Sequence, residues 1–139
     1  MERRRPRNPP TRPLVLLVEG HEDTRAMYAF ALSATGFDVV AIEDDSEAFR
    51  HAWEIHPDII VTDIPMPGEG WPFLESLKKN ARTRDIPIVG MSEYGPRSVE
   101  ERVEREGLAA FLQKPCLPDE LALGLRRVLD RNAHVHVPK

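Results

Sequence analysis

Four polar residues close four short apolar runs. Glu19 follows Leu14-Val15-Leu16-Leu17-Val18, Asp63 follows the stretch 58–62, Ser92 follows 86–91, and Lys114 follows 109–113. A carboxylate, a hydroxyl and an ammonium gathered at one place suit phosphoryl chemistry. A carboxylate can attack phosphorus as a nucleophile and form an acyl phosphate. The group in transfer needs positive charge and hydrogen-bond donors on its oxygens. Lys114 would supply the charge and Ser92 a hydroxyl. A Mg2+ ion would add more, held by one or two carboxylates and waters. A single acid or lysine at the end of a strand is ordinarily just solvated, so the chemistry depends on whether the fold brings the four together.

The periodicity of the chain supplies the elements that would do so. Residues 14–18 form a run long enough for a strand buried on both faces. Helical spacing follows over 23–35, with Ala26, Met27, Phe30 and Ala31 as the apolar positions and Gly36 where a C-terminal cap belongs. A β-branched strand covers 37–42. Asp44 and Glu47 read as a capping pair for a helix running to Ile55, with Ala48, Phe49, Ala52 and Trp53 on one face. His56-Pro57 closes that helix, because a residue before proline disfavours the helical region. The alternation continues with strands at 58–62, 86–91 and 109–113. Helices are expected at 71–80, 98–106 and 118–131, the last with Leu121, Leu125, Val128 and Leu129 as its stripe. Five strand–helix units specify a doubly wound α/β domain with a five-stranded parallel sheet and five helices. The common order 2-1-3-4-5 sets the carboxyl ends of strands one and three side by side, where ligands of open sheets bind. Glu19, Asp63, Ser92 and Lys114 then converge on one edge.

Composition bounds the remaining classes. Of 139 residues, 41% are hydrophobic and 30% charged, an ordinary globular balance. Five arginines against Glu2 give residues 1–12 a charge of +4; with the whole chain at −4, the rest carries −8. An acidic body argues against DNA binding, since phosphate contacts need a positive surface. The single cysteine, Cys116, excludes an internal disulfide. No apolar run approaches the ~20 residues of a membrane span, and a cytoplasmic protein is expected. Residues 1–13, rich in Arg and Pro, read as a disordered arm; 14–131 as the domain; 132–139 as a frayed tail. The segment after Arg131 is too short for an output domain, so a stand-alone domain is expected.

The motifs resemble one family. Leu-Leu-Val-Glu at 16–19, Asp-Ile-Ile-Val-Thr-Asp-Ile-Pro-Met-Pro at 58–67, Ile-Pro-Ile-Val-Gly-Met-Ser at 86–92 and Phe-Leu-Gln-Lys-Pro at 111–115 resemble, in order and spacing, the receiver domain of two-component response regulators. The resemblance spans about Leu14 to Leu129. It implies a flavodoxin-like receiver fold. It also implies that Asp63 is the phosphoacceptor, Ser92 the switch hydroxyl, Lys114 the family's lysine and Phe111 the aromatic switch position. A cis bond before Pro115 is implied too. The implied partners are a histidine kinase or phosphotransfer protein and a downstream protein, with a possible homodimer through the fourth helix, fifth strand and fifth helix. Such a domain accepts a phosphoryl group from a partner and is not itself an enzyme, beyond weak autodephosphorylation.

Two positions depart from the family's pattern. Gly20 stands where the second of two adjacent acids is expected, and a glycine offers no ligand side chain. The metal ligands implied are then Asp63, Glu19 and the backbone carbonyl of Pro65, and Mg2+ binding is expected to be weak. The loop Met66-Pro67-Gly68-Glu69-Gly70 is one residue shorter than usual. Both departures favour an alternative: a phosphorylation-independent pseudo-receiver that binds protein partners. Lys114, read as a partly exposed partner of Asp63, is expected to contribute ~1 kcal/mol or less to folding.

Overall fold

A computed structural model describes residues 12–65, 70–94 and 96–135, with the side chains of 96–99, 102 and 133–135 left out. The elements alternate as β1(Leu14–Val18), α1(Glu22–Ala34), β2(Asp38–Ile42), α2(Ala48–Ile55), β3(Ile59–Asp63), α3(Pro72–Lys79), β4(Ile88–Ser92), α4(Pro96–Glu106), β5(Ala110–Gln113) and α5(Pro118–Val135). All strand pairs are parallel and the order is β2-β1-β3-β4-β5. The five apolar runs therefore become strands, as their lengths and β-branched content require.

Each face of the sheet is covered by its own core. Leu16, Ile60, Ile88 and Ile64 pack with Ala48 and Ala52 of α2 and with Phe73, Leu74 and Leu77 of α3. Val15, Leu17, Val61 and Met91 pack on the other face with Tyr28 and Leu32 of α1 and with Leu121, Leu125 and Val128 of α5. Alternate residues of one strand serve opposite cores, which is why the central strands read as unbroken apolar runs.

Several local expectations are corrected. The buried face of α1 is Tyr28 and Leu32; Met27 and Phe30 are exposed, Phe30 at 78%. The apolar positions at helical spacing mark the helix but lie on its solvent side. Asp44 and Glu47 form no capping box: Glu47 caps α2 without a side-chain bond, and Asp44 Oδ1 instead accepts from the backbone N–H of Ser46 at 3.0 Å. Such local side-chain bonding competes with helix capping. The face of α2 is narrower than expected, because Trp53 is 43% exposed. At its end, His56 takes the left-handed conformation before Pro57. The last helix runs to Val135, past the expected end at Arg131. The expected arm begins before Arg12, but Arg12 itself is fixed to the domain. Its Nε lies 2.9 Å from Asp38 Oδ1, and its Nη2 donates to the Ser33 and Phe37 carbonyls at 2.7 and 2.6 Å. Residues 1–11 and 136–139, and the short loop at Met66–Glu69, lie outside the described residues.

The turn after α1 is one place where glycine is required. Gly36 has φ +105°, and a Cβ there would sit 2.6 Å from Arg126 Nη2. That guanidinium donates to the Thr35 carbonyl at 3.2 Å and stacks on Phe37 at 4.3 Å. The turn thereby ties α5 to the entry of β2.

Candidate functional site

The carboxyl ends of β1 and β3 lie side by side, since Val18 pairs with Thr62. Asp63 is the last residue of β3 and sits opposite Met91, one residue before Ser92. The Lys114 backbone N–H donates to the Ser92 carbonyl at 2.8 Å, extending the β4–β5 ladder by one step. The Lys114–Pro115 bond is cis, as the resemblance implies. These constraints bring all four residues to one edge.

Lys114 Nζ lies 2.8 Å from Asp63 Oδ1 and 3.1 Å from Glu19 Oε1. Its contact with Asp63 is as expected; its contact with Glu19 is not. The two carboxylates differ in burial: the Asp63 side chain is 43% exposed and that of Glu19 only 2%. Glu19 is held on every side. Its N–H donates to the Ile42 carbonyl at 3.0 Å, its Oε2 accepts from the His21 N–H at 3.0 Å, and its own carbonyl accepts from Arg25 Nη1 at 2.9 Å. His21 caps α1, its Nδ1 accepting from the Thr24 N–H at 3.3 Å. With Glu22 and Asp23 in the first turn, the helix start favours negative charge.

Ser92 is 4% exposed, and its Oγ accepts from the Tyr94 N–H at 3.0 Å. Phe111 is half-buried against the core that contains Ile64 and Leu108. Gly90, opposite Phe111 in the ladder, leaves room for the Ile64 side chain: a Cβ there would meet Ile64 Cδ1 and Cγ1 at 2.6 Å. The residue after Asp63 is thus seated in a slot that only glycine leaves open. Behind Lys114, the buried Tyr28 hydroxyl donates to the Cys116 carbonyl at 2.7 Å.

Electrostatics follows from these distances. Burial raises the Asp63 pKa above its ordinary value; Lys114 opposes this, while the charges of Glu19 and Glu93 add to it. For Lys114, burial alone lowers the pKa, but the hydrogen bonds and charges of Asp63 and Glu19 outweigh it and hold the group above the ordinary lysine value. The ammonium is therefore firmly charged, and the Asp63 carboxylate is only partly compensated.

Val18, Gly20, Glu43, Asp44, Asp45, Thr62, Asp63, Ile64 and Pro65 line an open cleft at this edge. The acidic run Glu43-Asp44-Asp45 ends β2 beside the site. Sequence reasoning used only Asp44, as a cap, although three acids after the second strand were a legible signal once the strand order was drawn.

Glu19 and position 20 offer no free donor to a bound dication. Both Glu19 carboxylate oxygens are engaged, one by Lys114 and one by the His21 N–H. Gly20 presents no oxygen from a side chain, and Asp44 is turned to Ser46. Among the described residues no three His, Cys, Asp or Glu side chains are gathered as metal ligands would be. Of the expected ligands Asp63, Glu19 and Pro65, Glu19 is thus committed elsewhere.

A doubly wound sheet with an acid, a hydroxyl and a lysine at its switch point defines the class of protein. The chain belongs to the response regulator receiver domain family, whose pattern matches residues 15–126. It is 35% identical over 118 residues to the phosphate regulon transcriptional regulatory protein PhoB of Klebsiella pneumoniae, an alignment covering 84% of this chain and 52% of that protein. The chain therefore spans about half the length of the PhoB relatives it matches. A response regulator from Desulfuromonas acetoxidans superposes with a TM-score of 0.77 at 31% identity, covering 85% of this chain and 97% of the other. The receiver domain of sensor histidine kinase PA1611 from Pseudomonas aeruginosa, solved with a magnesium ion in its active-site cleft, shares the fold. Its TM-score is 0.74 at 23% identity, covering 86% of this chain and 99% of the other. Among the described residues no helix is long and apolar enough to cross a membrane.

Proposed function

We propose that this receiver accepts a phosphoryl group on Asp63 from the phosphohistidine of a kinase or phosphotransfer protein and passes the signal on through protein contacts. One observation carries the reading: Asp63 ends β3 in an open cleft with the Lys114 ammonium at 2.8 Å. An Asp63 carboxylate oxygen attacks phosphorus, the O–P bond forms and the donor's N–P bond breaks, and the bonding pair stays on the ring, which leaves as neutral imidazole because its other nitrogen already carries a proton. Lys114 balances negative charge on the phosphoryl oxygens as it arrives. Ser92, one strand over, is the hydroxyl that would turn to the acyl phosphate, and Phe111 the ring that would follow it. The domain is a substrate of its partners rather than an enzyme, it works in the cytoplasm, and α4, β5 and α5 form its output and homodimer surface. Its ordered core is assigned to residues 14–131, with the arm and tail outside.

The test is intact-mass analysis of wild type and Asp63→Asn after exposure to a phosphohistidine donor protein. A single adduct on wild type, absent from Asp63→Asn, supports the reading. An adduct that survives the substitution moves the acceptor elsewhere. The second reading, a phosphorylation-independent binding module, is favoured by Gly20 and by the engaged state of Glu19; wild type that takes no adduct supports it.

A further inference from the structure

The group that neutralises the Glu19–Asp63 pair is already covalently part of the chain. Lys114 Nζ contacts both carboxylates, at 3.1 Å from Glu19 Oε1 and 2.8 Å from Asp63 Oδ1, and so bridges them. A near-octahedral dication needs oxygens turned towards it. To provide one, Glu19 would have to release both Lys114 and the His21 N–H while 2% exposed, leaving the ammonium without its most buried partner. Gly20 explains why the chain accepts this arrangement. Its backbone is not in the left-handed region, and a Cβ there would meet only the Glu43 carbonyl, at 3.6 Å. There is room for an acid at position 20, but no acid. Glu19, Asp63 and Lys114 by themselves sum to −1, with the acids Glu43, Asp44 and Asp45 on the same cleft as Asp63, and a dication between Glu19 and Asp63 would share their space with a fixed positive charge.

We infer that Lys114 is the built-in counter-ion of this site: its ammonium closes the Glu19–Asp63 pair, and the folded receiver neither needs nor binds Mg2+ at millimolar concentration. The inference stands whether or not Asp63 accepts a phosphoryl group, because it concerns the resting site.

The test uses the full chain and Mg2+ alone, with NaCl matching the ionic strength. A ligand that binds only the folded state raises its melting temperature. Thermal melts of wild type in ~10 mM MgCl2 are expected to shift by less than about 1 °C, and calorimetric titration to show no saturable heat. Lys114→Met removes the ammonium and leaves two carboxylates facing one another. Mg2+ is expected to raise its melting temperature by several degrees, and Lys114→Met/Asp63→Asn to lose that response. Gly20→Asp, which keeps the lysine and adds the missing oxygen, is expected to gain a saturable Mg2+ heat that wild type lacks. Saturable Mg2+ binding by wild type, or a Lys114→Met variant that Mg2+ leaves unmoved, overturns the inference. Should Lys114→Met fail to fold without metal, its recovery on adding Mg2+ is read by circular dichroism, with the same two outcomes.

Discussion

Lys114→Met is expected to be far more costly to folding than a surface ion pair would suggest. Methionine keeps the length and apolar stem of lysine and removes only the charge and its hydrogen bonds. The two partners respond differently. Asp63 is 43% exposed and water screens it, so its share is ~1 kcal/mol or less. Glu19 is 2% exposed and cannot be rehydrated without opening the strand ends. Removing one partner of a buried pair costs ~3–5 kcal/mol because the other charge is left uncompensated. The His21 N–H bond to Oε2 is retained, which places the expected loss near the lower limit, ~3 kcal/mol. For a domain of this size that is about 12 °C in Tm. Urea unfolding at neutral pH of wild type, Lys114→Met, Glu19→Gln and the double variant measures the coupling. Glu19→Gln should recover most of the Lys114→Met loss, giving a coupling of ~2 kcal/mol. A Lys114→Met loss below ~1 kcal/mol, unaffected by Glu19→Gln, would refute the claim that Lys114 compensates a buried glutamate.

Two further outcomes are expected at the same edge of the sheet. Asp63→Asn should stabilise the domain at pH 7 by ~0.5 kcal/mol, a figure kept small because the group is partly exposed. Burial raises the Asp63 pKa, so its stability contribution is full below the ordinary carboxylate range and lost as pH rises through the raised value. The advantage of Asn should therefore shrink as pH falls towards ~4, and urea unfolding showing Asp63→Asn less stable than wild type at pH 7 would contradict it. Gly90→Ala should destabilise by ~1–3 kcal/mol, because the added methyl meets Ile64 at 2.6 Å in a fully buried strand. It should also broaden the amide NMR signal of Asp63, whose neighbour it displaces; unchanged stability and spectrum would mean that Ile64 repacks freely.

Much of the fold was legible because apolar runs and helical spacing are local signals. Five strands, the order 2-1-3-4-5 and the Gly36 turn follow from pattern and chain geometry. What escaped was set by tertiary contact. Met27 and Phe30 carry helical periodicity but face solvent, since α1 buries Tyr28 and Leu32 against α5 instead. Asp44 has the residue type and spacing of a cap but closes its own turn through Ser46. At the site, Asp63, Ser92 and Lys114 could be placed from strand ends alone. The pairing of Lys114 with Glu19, 95 residues away, depends on side-chain reach over the ends of β4 and β3 and has no local signature. The expected ~1 kcal/mol for Lys114 rested on the exposure of Asp63 alone and left out the buried Glu19 partner.

Gly20 and the burial of Glu19 belong to one electrostatic solution. A third carboxylate at position 20 would bring the cluster of Glu19, Asp63 and Lys114 to −2, and a divalent ion would be the natural compensation. Without it, one ammonium brings the cluster to −1, and Glu19 can be withdrawn from solvent because all its polar atoms find partners in Lys114, His21, Ile42 and Arg25. Buried charges persist in proteins when they are paired and hydrogen-bonded in this way. Glutamate suits the position: its carboxylate reaches Lys114 while its backbone N–H stays bonded to the Ile42 carbonyl at the end of β2. Asp63 is then the single carboxylate of the cluster that remains partly in water. That asymmetry, one acid fixed as a brace and one left open to the cleft, arises here from the chain's own charges.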